Sequence, residues 1–214
     1  MSIEAPTRKT LKTEQSEKTR AALLRVARAM FAESGFAATS LELVAERAGV
    51  TTGAVYHQYR DKRRLFQAVV EELDAEVFQS IRERSREHVD RQAWQRLVAA
   101  AELILDSFTD PVYCQIVMVD GPAVLGWKVW HEIRANHILR YIRDAFEAQM
   151  ALGRIAREPA EPLAHVVFGG FTEAGLAIAN AADKRAARRE LGAATLRMFN
   201  RLKLRDAKKK SRRA

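Results

Sequence analysis

Between Thr39 and Lys62 the chain reads TSLELVAERAGVTTGAVYHQYRDK, two short amphipathic segments joined by Ala48-Gly49-Val50. Few folds accept such a pair. Leu41, Val44, Ala45 and Ala48 recur at helical spacing and give the first segment one apolar face. Thr39 is expected to be its N-cap, and Gly49 to end it in the left-handed conformation a side chain disfavours. The second segment starts at Thr51 or Thr52 and sets Val55 and Tyr59 four residues apart on a buried side. Helices this short are marginal alone, so they need neighbours to cover those faces.

The neighbours are also helical. Leu23, Ala27, Met30 and Phe31 form one stripe of a helix expected over about Glu14 to Ser34, with Gly35 at its end. After Asp61, a helix cap, Leu65, Val69 and Leu73 form another. The charged run SIRERSREHVDRQ then reads as a solvated helix end and turn. Further helices are expected over about Arg91–Ser107, Ala123–Leu152, a segment opened by Pro159 and Pro162, and Lys184–Leu204. Pro111 and Gly121-Pro122 should leave only a short helix between them. No alternating strand run appears, so the expectation is an all-α chain of about nine helices, a small three-helix head on a larger helical body.

The charge is informative once divided. The net +9 splits into +5 over residues 1–70, −3 over 71–200 and +7 over 201–214. The tail RLKLRDAKKKSRRA thus supplies most of the excess, and bulk basicity is weak support for a DNA-binding body. The single cysteine, Cys114, excludes an internal disulfide framework and fits a reducing cytoplasm. No apolar run in the sequence approaches the roughly 20 residues of a membrane span, and the N-terminus lacks a signal-peptide core.

The outer side of the second segment carries the chemistry. Thr51 and Thr52 can donate hydroxyl hydrogen bonds to phosphates. Gly53 and Ala54 allow close backbone approach, and the helix start offers free amides. Tyr56 and His57 can reach phosphates or base edges. Lys62, just past this helix, is placed to anchor a phosphate, and Thr39 and Ser40 to hold a second run of backbone. A turn glycine, small residues at the crossing and a polar outer face are what a helix–turn–helix needs.

This pattern resembles the TetR family of bacterial transcription regulators. The matching residues are Phe31-Ala32-Glu33-Ser34-Gly35-Phe36, Thr39-Ser40, Val44-Ala45, Ala48-Gly49-Val50, Gly53, Tyr56, Tyr59 and Lys62. Two positions depart from the family pattern: Tyr59 stands where Phe is usual, and Gln58 where His is common. The resemblance implies a flexible basic arm over 1–15, a DNA-binding head over 16–62, a ligand-binding and dimerisation body over 63–205 and a disordered basic tail over 206–214. It implies a cytoplasmic homodimer, most often a repressor. Such a dimer holds double-stranded operator DNA with pseudo-palindromic symmetry and is released by a small-molecule effector.

The body allows this. Phe108, Tyr113, Met118, Trp127, Trp130, Phe168 and Phe171 could line a cavity for a largely apolar effector, with Asn136, His137 and His165 as polar handles. The run Gly169-Gly170-Phe171-Thr172-Glu173-Ala174-Gly175 sets small residues on helix faces, which suits close helix approach. Gly170, Ala174, Leu191, Leu196 and Phe199 are therefore expected at a dimer seam. Enzyme readings fare poorly. No nucleophile elbow or phosphate-binding loop occurs. His131 and His137 are six residues apart, about 240° around a helix, so they do not make a zinc-protease pair. No metal and no cofactor are expected. The competing reading is a helical ligand-binding or interaction protein whose DNA-binding head is vestigial.

Overall fold

The computed structural model describes residues 8–87 and 93–204. Four helices build the head and its exit: α1 (Arg8–Ala38), α2 (Leu41–Ala48), α3 (Thr52–Gln58) and α4 (Lys62–Glu87). Leu23, Leu24, Ala27, Met30 and Phe31 of α1 are buried against Val44, Val55 and Leu65 in one cluster. Phe31, Phe36 and Phe66 close it with edge-to-face contacts of Phe66 on both other rings at 5.1 Å. The helix expected from Glu14 starts earlier, at Arg8, so part of the presumed flexible arm is helical. Residues 1–7 and the tail at 206–214 lie outside the described residues.

Local chemistry sets the boundaries. At Gly35 (φ 74°, ψ 172°) the chain leaves the helical path, as a residue without Cβ can. Thr39, expected to cap α2, does not. Its side chain is buried and its hydroxyl donates back to the Gly35 carbonyl at 3.0 Å. Ser40 takes the cap, its Oγ accepting from the Leu43 amide at 3.2 Å. Gly49 ends α2 in the left-handed region, φ 67°. Asp61 caps α4, accepting from the Arg64 amide at 2.8 Å.

Five helices form the body. They are α5 (Ala93–Ser107), α6 (Pro111–Leu125), α7 (Trp127–Ala151), α8 (Ala160–Asn180) and α9 (Lys184–Asn200). Helix α6 corrects the expectation of a break at Gly121-Pro122: it runs through both. Its middle, Cys114–Asp120, is π-helical, with wide turns that bond five residues back. Pro122 has no N–H to offer Val117, and the Trp130 indole N–H donates to that carbonyl instead, at 2.6 Å. The following break falls at Gly126 (φ 75°), so α7 starts at Trp127 rather than near Ala123. Against the expectation that no apolar run approaches a membrane span, α8 could cross a membrane by length and composition alone, but half of its most apolar window is buried within the chain. Its inner residues Ala164, Val167, Phe168, Phe171 and Ile178 belong to the common core.

Head and body share α4. Phe66 packs on Phe31 and Phe36 of the head, while Asp74 further along reaches Tyr113 of α6. The boundary expected at residue 62 thus falls at the start of a helix that serves both halves.

Candidate functional site

Helix α3 presents one buried and one open side, as its spacing predicts. Val55 is fully buried and Tyr59, which ends the helix, is nearly so. Thr51, Gly53, Tyr56 and His57 are exposed, with Thr52 and Ala54 partly so. Thr51 Oγ1 accepts from the Ala54 amide at 3.2 Å, which leaves the hydroxyl proton free to donate outward. Tyr56 is 47 % exposed, and its hydroxyl lies 3.5 Å from Glu42 of α2. A Cβ built on Gly53 would meet nothing nearer than Thr51 Oγ1 at 3.9 Å. Nothing within the chain therefore calls for glycine there.

Ser40, Glu42, Tyr56 and Lys62 line one open groove on this surface. Ser40 is exposed beside it, as expected. Two other expectations need correction. Thr39 is turned inward, as described above, and its hydroxyl is committed to Gly35. Lys62 is a staple: its Nζ donates to the carbonyls of Phe36 (2.8 Å), Ala37 (3.3 Å) and Thr39 (2.8 Å) and lies 4.3 Å from the Phe36 ring centroid. Three donors meeting three acceptors tie the end of α1 to the start of α4. Sequence spacing puts Lys62 beside the reading helix but cannot say that α1 leaves those carbonyls bare.

The two departures from the family pattern have structural partners. Arg20 Nε donates to the Tyr59 hydroxyl at 3.3 Å, and Gln58 Nε2 to Ser16 Oγ at 2.8 Å, so both fasten α3 to α1. Burial pushes the Tyr59 hydroxyl pKa up, against the opposing pull of Arg20.

Two links that sequence spacing did not reveal join head to body. Asp120 of α6 accepts from the Phe36 amide at 2.9 Å. Arg63 of α4 donates to the carbonyls of Val124 (3.1 Å) and Leu125 (2.7 Å). Both reach from one end of α6 to the turns that frame α2 and α4.

In the body, five of the seven proposed lining residues come together. Phe108, Trp130 and Phe168 surround the Arg134 guanidinium, with centroids at 5.7, 5.0 and 5.8 Å. Tyr113 and Met118 complete the wall from α6, and a Cβ on Gly175 would strike Phe108 at 2.8 Å and Met118 at 2.9 Å. Trp127 does not belong: it is 59 % exposed and packs on Trp130 from outside. Phe171 turns the other way, toward Phe199. Of the proposed polar handles, Asn136 and His165 are exposed, and His137 stacks on Phe78 at 5.4 Å. The polar groups at the centre are instead Arg134, Asp74 and Thr172, all buried. A charged residue on an otherwise apolar stripe (Trp130, Arg134, Ile138, Ile142) was the available signal.

The residues expected at a dimer seam are mostly covered within the chain. Ala174 and Phe199 are buried inside the chain, and Phe199 stacks on Trp94 at 5.2 Å. Leu191 and Leu196 are half covered by the same core, and Gly170 sits under Met198. A largely apolar groove opens between α8 and α9, lined by Leu163, Val166, Phe171, Thr195, Met198 and Leu202 and also by the expected seam residue Phe199. Val166 is 68 % and Met198 52 % exposed.

Known proteins share this arrangement. Residues 23–69 match the sequence model described as bacterial regulatory proteins, tetR family, and residues 94–202 the one described as tetracyclin repressor-like, C-terminal domain. The HTH-type transcriptional regulator TtgR of Pseudomonas putida is 40 % identical over 60 residues, 28 % of this chain and 29 % of that protein. The chain thus matches under a third of the length of that relative. A solved TetR-family transcriptional regulator from Pectobacterium atrosepticum superposes with a TM-score of 0.80 at 29 % identity, over 94 % of this chain and 99 % of that one. RolR, solved in complex with resorcinol, superposes at 0.66 with 22 % identity, over 87 % and 89 %.

Proposed function

Because this chain belongs to the TetR family of bacterial regulatory proteins, we propose that it is a ligand-responsive transcription regulator that grips operator DNA with α3. The observation that carries the reading is Gly53. It sits exposed in the first turn of α3, where alanine would favour the helix more, and no neighbour in the chain crowds it. Close approach by an outside body accounts for it. The DNA backbone is the fitting body, since Thr51, Tyr56 and His57 are exposed around the same spot.

The operator-bound form is a homodimer in this reading. Two copies of one head bind successive major grooves of a pseudo-palindrome. The seam is the α8–α9 groove: its exposed Val166 and Met198 and the uncovered Gly169 invite a second copy of the same face. A small molecule held in the body releases the DNA by binding the non-operator state more tightly. The structure of RolR with resorcinol is one case of a neighbouring fold holding a small molecule. We propose repression as the mode of regulation.

The test is fluorescence anisotropy with a duplex from the DNA upstream of the chain's own gene, against a shuffled duplex, across a salt series. Regulation predicts a preference for the upstream duplex that persists as salt rises. Equal, salt-labile binding to both duplexes would support a vestigial head.

A further inference from the structure

Two polar atoms at the centre of the body have no hydrogen-bond partner: Asp74 Oδ2 on α4 and Arg134 Nε on α7. Both residues are 1 % exposed. One further atom of each is engaged. Asp74 Oδ1 accepts from the Tyr113 hydroxyl at 2.8 Å, and an Arg134 terminal nitrogen donates to Thr172 Oγ1 at 3.2 Å. Yet the carboxylate and the guanidinium are not among the ion pairs of the described residues. A purely structural pair would be expected to close directly, because a buried group left unsatisfied costs about 1–3 kcal/mol and a charged one more.

What remains is one open acceptor and one open donor beside three aromatic rings. A hydroxyl group lodged between them would satisfy both at once, its O–H donating to Asp74 Oδ2 and its oxygen accepting from Arg134 Nε–H. An aromatic ring on that hydroxyl would pack against Phe108, Trp130 and Phe168. The bridge uses Asp74 as an acceptor: burial pushes that carboxyl pKa up, while Arg134, the Tyr113 hydroxyl and His137 pull it down and favour the carboxylate. A carboxylate ligand would suit Arg134 but repel an ionised Asp74. The wall nearest this site includes the π-helical part of α6, a form of helix common at functional sites.

We propose that the body binds a small phenol, its hydroxyl bridging Asp74 and Arg134 and its ring held by Phe108, Trp130 and Phe168. This rests on the reading of the body as an effector domain and adds the chemical class.

The experiment is isothermal titration of the full chain with phenol, catechol, anisole and benzoate. Anisole keeps the ring and loses the donor; benzoate replaces the hydroxyl with an anion. The expected result is binding of phenol or catechol roughly tenfold or more tighter than of the other two. Asp74→Asn, nearly isosteric, should weaken phenol binding by a similar factor while its melting curve stays cooperative. Arg134→Lys provides a second variant, expected to lose the preference for phenol over anisole. Anisole or benzoate binding as tightly as phenol, or no phenol binding at millimolar concentration, overturns the proposal. The anisotropy assay separates this from the broader reading. If another compound releases operator DNA while phenols fail to bind, the regulator stands and the phenol site falls. If phenols bind with the predicted ranking but the chain shows no preference for the upstream duplex, the site stands and the regulator reading fails.

Discussion

Gly53 shows how one residue can be legible in sequence and still gain meaning from structure. Its place in the motif marks a close approach, and the open space around it says the approach comes from outside. Gly53→Ala should stabilise the free protein by about 0.5–1 kcal/mol in chemical denaturation while weakening operator binding about tenfold or more. A stabilised variant with undiminished affinity would make Gly53 incidental. Thr39 and Lys62 were misplaced for a physical reason. Position along the chain puts both beside the reading helix, but their polar atoms are taken by carbonyls freed where α1 breaks at Gly35. Asp74 does not stand out in the sequence, because Glu71, Glu72 and Glu76 around it read as one solvated face. Its folded-state pKa is raised, so the stability it contributes is present below the unfolded value and is lost as pH rises through the folded one. Asp74→Asn should therefore match the wild type near pH 4 and exceed its melting temperature at neutral pH, as a thermal-shift series would show.

At the scale of elements, several boundaries followed from local sequence: Gly49, Asp61 and Pro159 stand where a helix must stop or start. Helix α6 did not follow. Gly121-Pro122 is ordinarily a break, yet wide turns and the Trp130 indole absorb the missing amide, and a Cβ on Gly121 would strike that indole at 2.7 Å. That compensation comes from a residue on the next helix, so local pattern cannot contain it. The same helix carries Tyr113 and Met118 at the buried site and Asp120 at the head. Asp120→Ala leaves the Phe36 amide without its carboxylate. It should reduce the change in operator affinity on effector binding by about 1 kcal/mol of coupling, several-fold in the anisotropy assay. An unchanged response would move the coupling to Arg63 and its carbonyl partners.

Across the whole molecule, the all-helical architecture and the family were legible from one ordered motif and from helical periodicity. The outward face of α8 and α9 was not. Apolar residues there outnumber those one chain can bury, and only packing decides which turn inward. Phe199 goes in to stack on Trp94, while Met198 beside it is left outside. Met198→Glu, which places a charge in the apolar seam, should shift sedimentation from dimer to monomer and lower operator affinity in parallel, with the monomer still folded. A dimer that persists would assign the seam to another face.

Operator recognition by this chain requires two copies of α3 on one operator. A hydroxyl-radical footprint of the bound upstream duplex tests this directly. Two equal patches of protection on one face of the duplex, separated by about one helical turn or a whole multiple of it, and both lost with Gly53→Ala, are the predicted result. A single patch, or protection that leaves Gly53→Ala unaffected, would contradict it.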